Sequence, residues 1–221
     1  MSLPPTRWQL AGEDNRGYGE KFGRMVASGE DVDGEARLAD VLVGRRSRIL
    51  DVGSGMGRVA AALTVRGHDV VAVEPDPRLV AQSRETYPDL TVIESDILGV
   101  DPVDLGGGFD LVVVVGNVMV FLAEGTEREV LGLIRDQLAP RGRVLVGFHP
   151  VDGPATARAY PHEEFRSDAE AVGLRVDLLA GSYELHPPTP EYAVWVLARD
   201  DAPAAETWFG HALGPNTSLP D

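Results

Sequence analysis

Cysteine is missing from these 221 residues, which excludes disulfides, thiolate metal sites and cysteine nucleophiles. The composition fits a reducing cytoplasm, the compartment expected here. Lysine is nearly missing as well: Lys21 stands alone among 20 basic residues, a bias that reads as genome composition. Positive charge as a whole is short, with 20 Lys and Arg against 35 Asp and Glu and a net charge of −15. A chain this acidic gains little from the counterion release that drives nucleic-acid binding, so no nucleic-acid partner is expected. The cluster Arg45, Arg46 and Arg48 reads as the solvated entry to a buried strand. Long apolar runs are lacking too. The run 111–115 falls far below the ~20 residues of a membrane span, and the N-terminus lacks the layout of a signal peptide. No membrane partner is expected, and oligomeric state is not legible.

What is present is ordinary for a globular protein: 43% apolar and 25% charged residues, in a length suited to one domain. Three zones differ in texture. Residues 1–47 are polar, glycine-rich and weakly periodic, and read as an N-terminal helical cap or lid. Residues 48–199 read as the core, and 200–221 as a C-terminal tail that Trp208 and Phe209 would anchor. In the core, apolar runs at 48–52, 69–74, 90–94, 109–115 and 143–148 are separated by helical patterns at 58–66, 77–87 and 126–138. Such alternation implies βαβ units and a parallel sheet. The run Leu111-Val-Val-Val-Val115 has no polar alternation, which marks a central strand covered on both faces. Asp76 is placed to cap a helix opened by Pro77, and Gly67 and Gly142 follow helical stretches where a left-handed residue is wanted. After a helix at 161–172, the runs 174–185 and 191–199 flank His186-Pro-Pro-Thr-Pro190 and are expected to pair as an antiparallel hairpin at one edge. The predicted fold is α/β: a doubly wound, mostly parallel, seven-stranded sheet with that edge hairpin and helices on both faces.

The segment Asp51-Val-Gly53-Ser54-Gly55-Met56-Gly57 leaves the first strand and enters a helix. Glycines there let a ligand lie against bare backbone, at the carboxyl ends of the strands where α/β sheets bind ligands. A dinucleotide fingerprint, Gly-x-Gly-x-x-Gly, would need glycine at position 58, which is Arg58. A P-loop would need a lysine that is not there. Asp51 would repel a pyrophosphate but suits an ammonium group.

This run resembles motif I of the class I S-adenosylmethionine-dependent methyltransferases, Asp/Glu-x-Gly-x-Gly-x-Gly, and the resemblance extends by motif order from about residue 48 to 148. It implies a Rossmann-like fold and S-adenosyl-L-methionine as cofactor. It also implies that Glu74 and Pro75, ending the second strand, meet the cofactor ribose. Asp96 and Ile97 would hold the adenine, and Gly116 and Asn117 would line the methyl-transfer site. Asp51, Gly53, Ser54, Gly55, Met56 and Gly57 would complete the cofactor site. Tyr18, Phe22 and Met25 share a helical stripe; Tyr18, Phe22, Arg24 and Phe121 are the candidates for a substrate lid, although plain packing explains the stripe equally well. No catalytic residue is universal in the family; His149, ending the fifth strand, is the candidate base on position alone. No His, Asp or Glu spacing suggests a metal.

The chain lacks the Asn/Asp-Pro-Pro-aromatic motif of nucleic-acid amino methylases, and its flanking zones are short. The expected activity is methyl transfer to a small-molecule acceptor by in-line displacement. A non-catalytic S-adenosylmethionine-binding protein and an NAD-dependent oxidoreductase are the alternatives.

Overall fold

Strands buried on both faces need helices on both sides, and the chain supplies them in alternation. The computed structural model describes residues 3–15, 17–154 and 156–202. Three helices lead: α1 (Arg7–Ala11), α2 (Gly17–Ser28) and α3 (Gly34–Val41). The alternating part comes next as β1 (Arg48–Val52), α4 (Arg58–Val65), β2 (Asp69–Glu74), α5 (Pro77–Thr86), β3 (Val92–Glu94), α6 (Pro102–Leu105), β4 (Phe109–Val114), α7 (Val118–Phe121), α8 (Glu127–Gln137) and β5 (Leu138–Phe148). The chain then runs through α9 (His162–Ala171), β6 (Leu174–Ala180) and β7 (Ala193–Arg199). Residues 203–221, with Trp208 and Phe209, lie outside the described residues. Among the described residues no helix is long and apolar enough to cross a membrane.

The seven strands form one sheet in the order β3-β2-β1-β4-β5-β7-β6. Pairs among β1 to β5 are parallel, while β7 runs antiparallel to both β5 and β6. The expected hairpin is therefore present, with β7 inserted beside β5 and β6 forming the edge. Strand order reverses between β1 and β4, so the crevice at their carboxyl ends is the place where such sheets bind ligands. Successive side chains on a strand alternate between faces, and the two cores divide accordingly. Leu50, Val52, Val112 and Val114 pack with α7, α8 and α9, whereas Ile49, Leu111, Val113 and Val115 pack with α3 and α4.

Local signals explain several boundaries. Asp76 caps α5 by accepting from the Arg78 N–H at 2.9 Å, ahead of Pro77, and Gly67 takes φ 91° just after α4. Other expectations need correction. The strand at 174–185 stops at Ala180, because the Gly181 N–H turns back to the His186 carbonyl at 2.8 Å. Gly142 does not end a helix. It lies inside β5, where an added Cβ would sit 2.5 Å from the Phe109 carbonyl oxygen. The register between β4 and β5 shifts at this point, between Phe109 and Leu111. Gly142 is needed for close backbone approach.

Gly142→Ala should therefore destabilise the chain by about 1–3 kcal/mol, the usual cost of overpacking. The urea midpoint should fall while the slope stays unchanged; an unchanged midpoint would refute the crowding.

Candidate functional site

The loop after β1 is held from below by β2. The N–H groups of Gly53 and Ser54 donate to the Val73 carbonyl at 2.8 and 3.1 Å. At Gly53 a side chain is excluded twice: φ is 69°, and an added Cβ would lie 2.5 Å from Val118 Cγ2. One residue further along β2, Glu74 closes the arrangement. Its Oε2 accepts from the Gly55 N–H and its Oε1 from the Asp76 N–H, both at 2.8 Å. A single carboxylate thus joins the glycine loop to the turn that starts α5.

Two carboxyls in this region are buried without a paired cation among the described residues. Glu74 is 4% exposed and Asp51 is 2% exposed. Burial pushes the Glu74 pKa up to about 7 against its two backbone hydrogen bonds, with Asp76 and Asp96 adding repulsion. Burial likewise pushes Asp51 up to about 7, with Glu74 repelling it and Arg58 opposing the shift. Among the described residues, Asp51 Oδ2 and Ser54 Oγ have no hydrogen-bond partner. Buried carboxylates with spare acceptor capacity favour a ligand that brings hydroxyl or ammonium donors and oppose a phosphate.

Above the loop lies an apolar pocket. Its floor is Val52, Gly53, Gly55, Val73, Glu74 and Pro75, with Leu79, Asp96 and Ile97 on one side and Gly116, Val118, Phe121 and Leu122 on the other. Thr6, Trp8 and Tyr18 form the roof. The roof is aromatic: Trp8 meets Tyr18 at 5.4 Å and Phe121 at 5.3 Å, both edge-on. It is tied down at two sides. Trp8 Nε1–H donates to Asp76 Oδ2 at 3.0 Å, and Arg7 Nη1 donates to the Leu122 carbonyl at 2.7 Å. The pocket holds about 80 Å³ of free space in this arrangement, less than the roughly 300–1,000 Å³ of small-molecule sites. A ligand of nucleoside size requires the roof to lift.

Arg58, which stands where a dinucleotide fingerprint would carry glycine, secures the surrounding helices. Its guanidinium forks onto both carboxylate oxygens of Glu35, with Nη1 to Oε2 at 2.8 Å, and donates to the Val32 carbonyl at 2.6 Å. It also lies 4.8 Å over the Phe22 ring. A bidentate pair of this kind is geometrically specific, and it fastens α3 to the start of α4.

Of the residues singled out from sequence, Gly53, Gly55, Glu74, Pro75, Asp96, Ile97, Gly116, Phe121 and Tyr18 meet around the pocket. Asp96 spends one oxygen capping the turn at Ile97–Gly99, accepting from the Leu98 N–H at 2.9 Å. Asp51, Ser54 and Met56 are buried outside the pocket lining, and Gly57 packs on Ser83 and Leu90. Asn117 turns to His149 instead of the pocket, and Phe22 lies under Arg58. Arg24 is 73% exposed and faces Glu20 at 3.9 Å. Sequence reasoning missed Thr6, Trp8, Val73 and Leu79. For the first two a signal existed: Thr6 and Gln9 form a reciprocal capping box that starts α1.

The methyltransferase domain family matches residues 49–142. Among solved structures, a TehB-like SAM-dependent methyltransferase from Corynebacterium glutamicum is 34% identical, with a TM-score of 0.74 over 84% of this chain and 97% of that one. The glycopeptide N-methyltransferase MtfA complexed with S-adenosyl-L-methionine is 14% identical and shares the fold, with a TM-score of 0.61 over 76% of this chain and 95% of that one. Curated proteins called Ribosomal RNA small subunit methyltransferase A match in part. That of Chlorobium phaeobacteroides is 39% identical over 70 residues, 32% of this chain and 26% of its own length. The match to the first of these relatives thus spans about a quarter of their length.

These last matches overturn the expectation that nucleic acid is excluded as a partner. Net charge sums over the whole chain, whereas nucleic-acid binding depends on local potential. The missing Pro-Pro motif bears on one subclass of methylases only.

The buried carboxyls make a pH prediction. Both have folded-state pKa values near 7, above ordinary values of 3.8 and 4.5. The folded chain therefore binds more protons than the unfolded one across roughly pH 4–7, and the stability these groups contribute is complete below about pH 4 and lost as pH rises to about 7. The double variant Asp51→Asn, Glu74→Gln should gain urea resistance relative to wild type over that range. A pH-independent difference would refute the assignment.

Proposed function

This chain belongs to the class I S-adenosylmethionine-dependent methyltransferases, and we propose that it transfers a methyl group from S-adenosyl-L-methionine to a small-molecule acceptor by in-line displacement. The observation that carries the proposal is the join between a bare glycine loop and a buried, cation-free Glu74. An acid at the end of β2 also serves NAD-binding sheets, so the discrimination lies in Arg58 at the fingerprint's third glycine position and in the buried Asp51 carboxyl, which suits an ammonium group and opposes a pyrophosphate. The NAD-dependent alternative is dropped for that reason.

In this reading Glu74 takes the ribose hydroxyls, for which its remaining lone pairs are suited, with Pro75 as a rigid wall. Asp96 and the Ile97 N–H take the adenine edge. The amino-acid arm lies along the bare backbone of the glycine loop, and Asp51 takes its ammonium, directly or through water. Gly116 leaves room for the reacting group. When bound, the cofactor supplies a methyl carbon already activated on a sulfonium, so the protein's work is alignment and exclusion of water. Trp8, Tyr18 and Phe121 would supply that exclusion, with residues 1–47 as a cap over a core of residues 48–199. The tail 200–221 has no assigned part. A small acceptor is supported by the enclosed aromatic roof over Gly116. An RNA acceptor is the second reading, supported by the names of the partial relatives. We also place the protein in the cytoplasm, on composition alone.

Calorimetry with S-adenosylmethionine, S-adenosylhomocysteine and NAD tests the cofactor: the first two should bind and NAD should not, and NAD binding alone would overturn the proposal. Glu74→Ala should weaken S-adenosylhomocysteine binding by about 1.5–3 kcal/mol, the value of hydrogen bonds to a charged group; unchanged affinity would refute the ribose assignment. Radiolabelled methyl donor offered with a metabolite extract and with ribosomal RNA separates the two acceptors. For the roof, wild-type tryptophan fluorescence should change on S-adenosylhomocysteine binding and the Trp8→Phe change should be largely lost. Equal signals in both proteins would leave Trp8 without that role.

A further inference from the structure

Asn117 occupies the left-handed region, φ 76°, between β4 and α7, with its N–H bonded to the Gly147 carbonyl at 3.0 Å. Its side-chain Oδ1 lies 2.9 Å from the backbone nitrogen of His149 and 2.9 Å from that residue's ring Nδ1. A backbone N–H can only donate, so the amide atom facing it is the oxygen and not the NH₂ group. That oxygen can only accept. The ring Nδ1 therefore carries the hydrogen, and Nε2 of the neutral ring keeps its lone pair.

The surroundings keep the ring neutral. Tyr192, preceding β7, meets it edge-on at 4.7 Å, and the Tyr192 hydroxyl is in turn hydrogen-bonded to that of Tyr183 at 2.9 Å. Asn117 faces it from the start of α7, and Gly153 packs near its Cβ. None of these is charged, and burial alone lowers the His149 pKa. The position also fits. His149 comes directly after β5, the parallel neighbour of β4, at the same carboxyl edge as Gly116, and it stands beside the pocket lining, joined to it through Asn117, which follows Gly116.

We propose that Asn117 is a positioning residue that holds His149 in its Nδ1–H form, and that His149 Nε2 receives the proton of an acceptor methylated at a phenolic O–H or ring N–H. The proposal rests on the methyltransferase reading. The acceptor's X–H bond breaks and its proton passes to Nε2. The electron pair left on X forms the X–CH₃ bond as the CH₃–S bond breaks, its pair staying on the sulfur of S-adenosylhomocysteine. The imidazolium then returns its proton to solvent. A phenol and a ring N–H share the need for such a base, which an amine arriving neutral does not have.

The full chain labelled with ¹⁵N-histidine, with His149→Gln to identify the signals, reports the tautomer by long-range ¹H–¹⁵N correlation at pH 8. Wild type should show Nδ1–H, Asn117→Ala a shift toward Nε2–H, and Asn117→Asp a return to Nδ1–H. An Nε2–H ring in wild type overturns the proposal whatever the acceptor. In parallel, labelled methyl transfer into the metabolite extract should fall about 100-fold or more in His149→Gln, the scale of general-base catalysis. The acidic limb of its pH–rate profile should vanish, while S-adenosylhomocysteine affinity stays unchanged. A wild-type rate and limb in His149→Gln, or a wild-type chain that binds S-adenosylhomocysteine yet methylates nothing, overturns the base. Failure to bind S-adenosylhomocysteine at all would instead sink the methyltransferase reading.

Discussion

Everything at the ligand edge of this sheet hangs on one carboxylate. Glu74 accepts from Gly55 on one side and Asp76 on the other, so the glycine loop and the start of α5 are fixed to each other through the end of β2. The cost is a charge buried away from any cation. Two neutral backbone donors do not offset that desolvation, and the pKa rises to about 7. The site is thus built slightly unsatisfied, with Asp51 in the same condition nearby. Such groups gain from a ligand with hydroxyls and a cation, which is how a modest pocket reaches selectivity without a phosphate clamp.

Arg58 solves a different problem. The glycine loop has little side-chain packing of its own, so its far end must be immobilised by the first residue of α4. Arg58 does this through Glu35 and the Val32 carbonyl, and the Phe22 ring packs against its guanidinium. Removing one member of such a buried pair leaves a stranded charge, so α2, α3 and the loop are energetically coupled. Tyr18 stands on the same helix as Phe22 and lines the pocket. The roof is therefore held partly by the same arginine that holds the floor. Opening the roof would break the Trp8–Asp76 and Arg7–Leu122 hydrogen bonds together.

How much of this is legible in the sequence depends on the range of each interaction. The unbroken Val112–Val114 core of β4, the Asp76-Pro77 cap and the three glycines after β1 are local patterns with one dominant reading, and that reading sets their places in the fold. Gly142 misleads because a glycine after a helical stretch looks the same whether it takes a left-handed turn or admits a neighbouring strand; only the Phe109 carbonyl distinguishes them. Trp8 escapes notice because α1 has five residues, too few for a periodicity. The Arg58–Glu35 pair spans 23 residues with no repeat to announce it, and Tyr183 and Tyr192 meet only because the β6–β7 connection folds back. The Asn117–His149 bond is of the same kind: each residue stands out alone, but their partnership depends on β4 and β5 lying side by side.

The acceptor question turns on which contacts must break. Arginines that could meet a polynucleotide are already engaged: Arg78 with Asp76 at 2.9 Å, Arg128 with Asp168 at 2.7 Å, and Arg158 with Glu127 at 2.7 Å. Arg45 and Arg46 precede β1 and Arg48 opens it, at the other end of that strand from the glycine loop. Holding a polynucleotide at the mouth would require the engaged arginines to exchange carboxylates for phosphates. Arg78 and Arg128, with side chains 49% and 61% exposed, are the ones free enough to do so, since exposed pairs contribute only about 0–1 kcal/mol. A small acceptor requires no such exchange, only the lifting of α1. The two acceptors thus make different demands on the same surface: both need the roof to admit the cofactor, and a polynucleotide also needs exposed arginines to change partners.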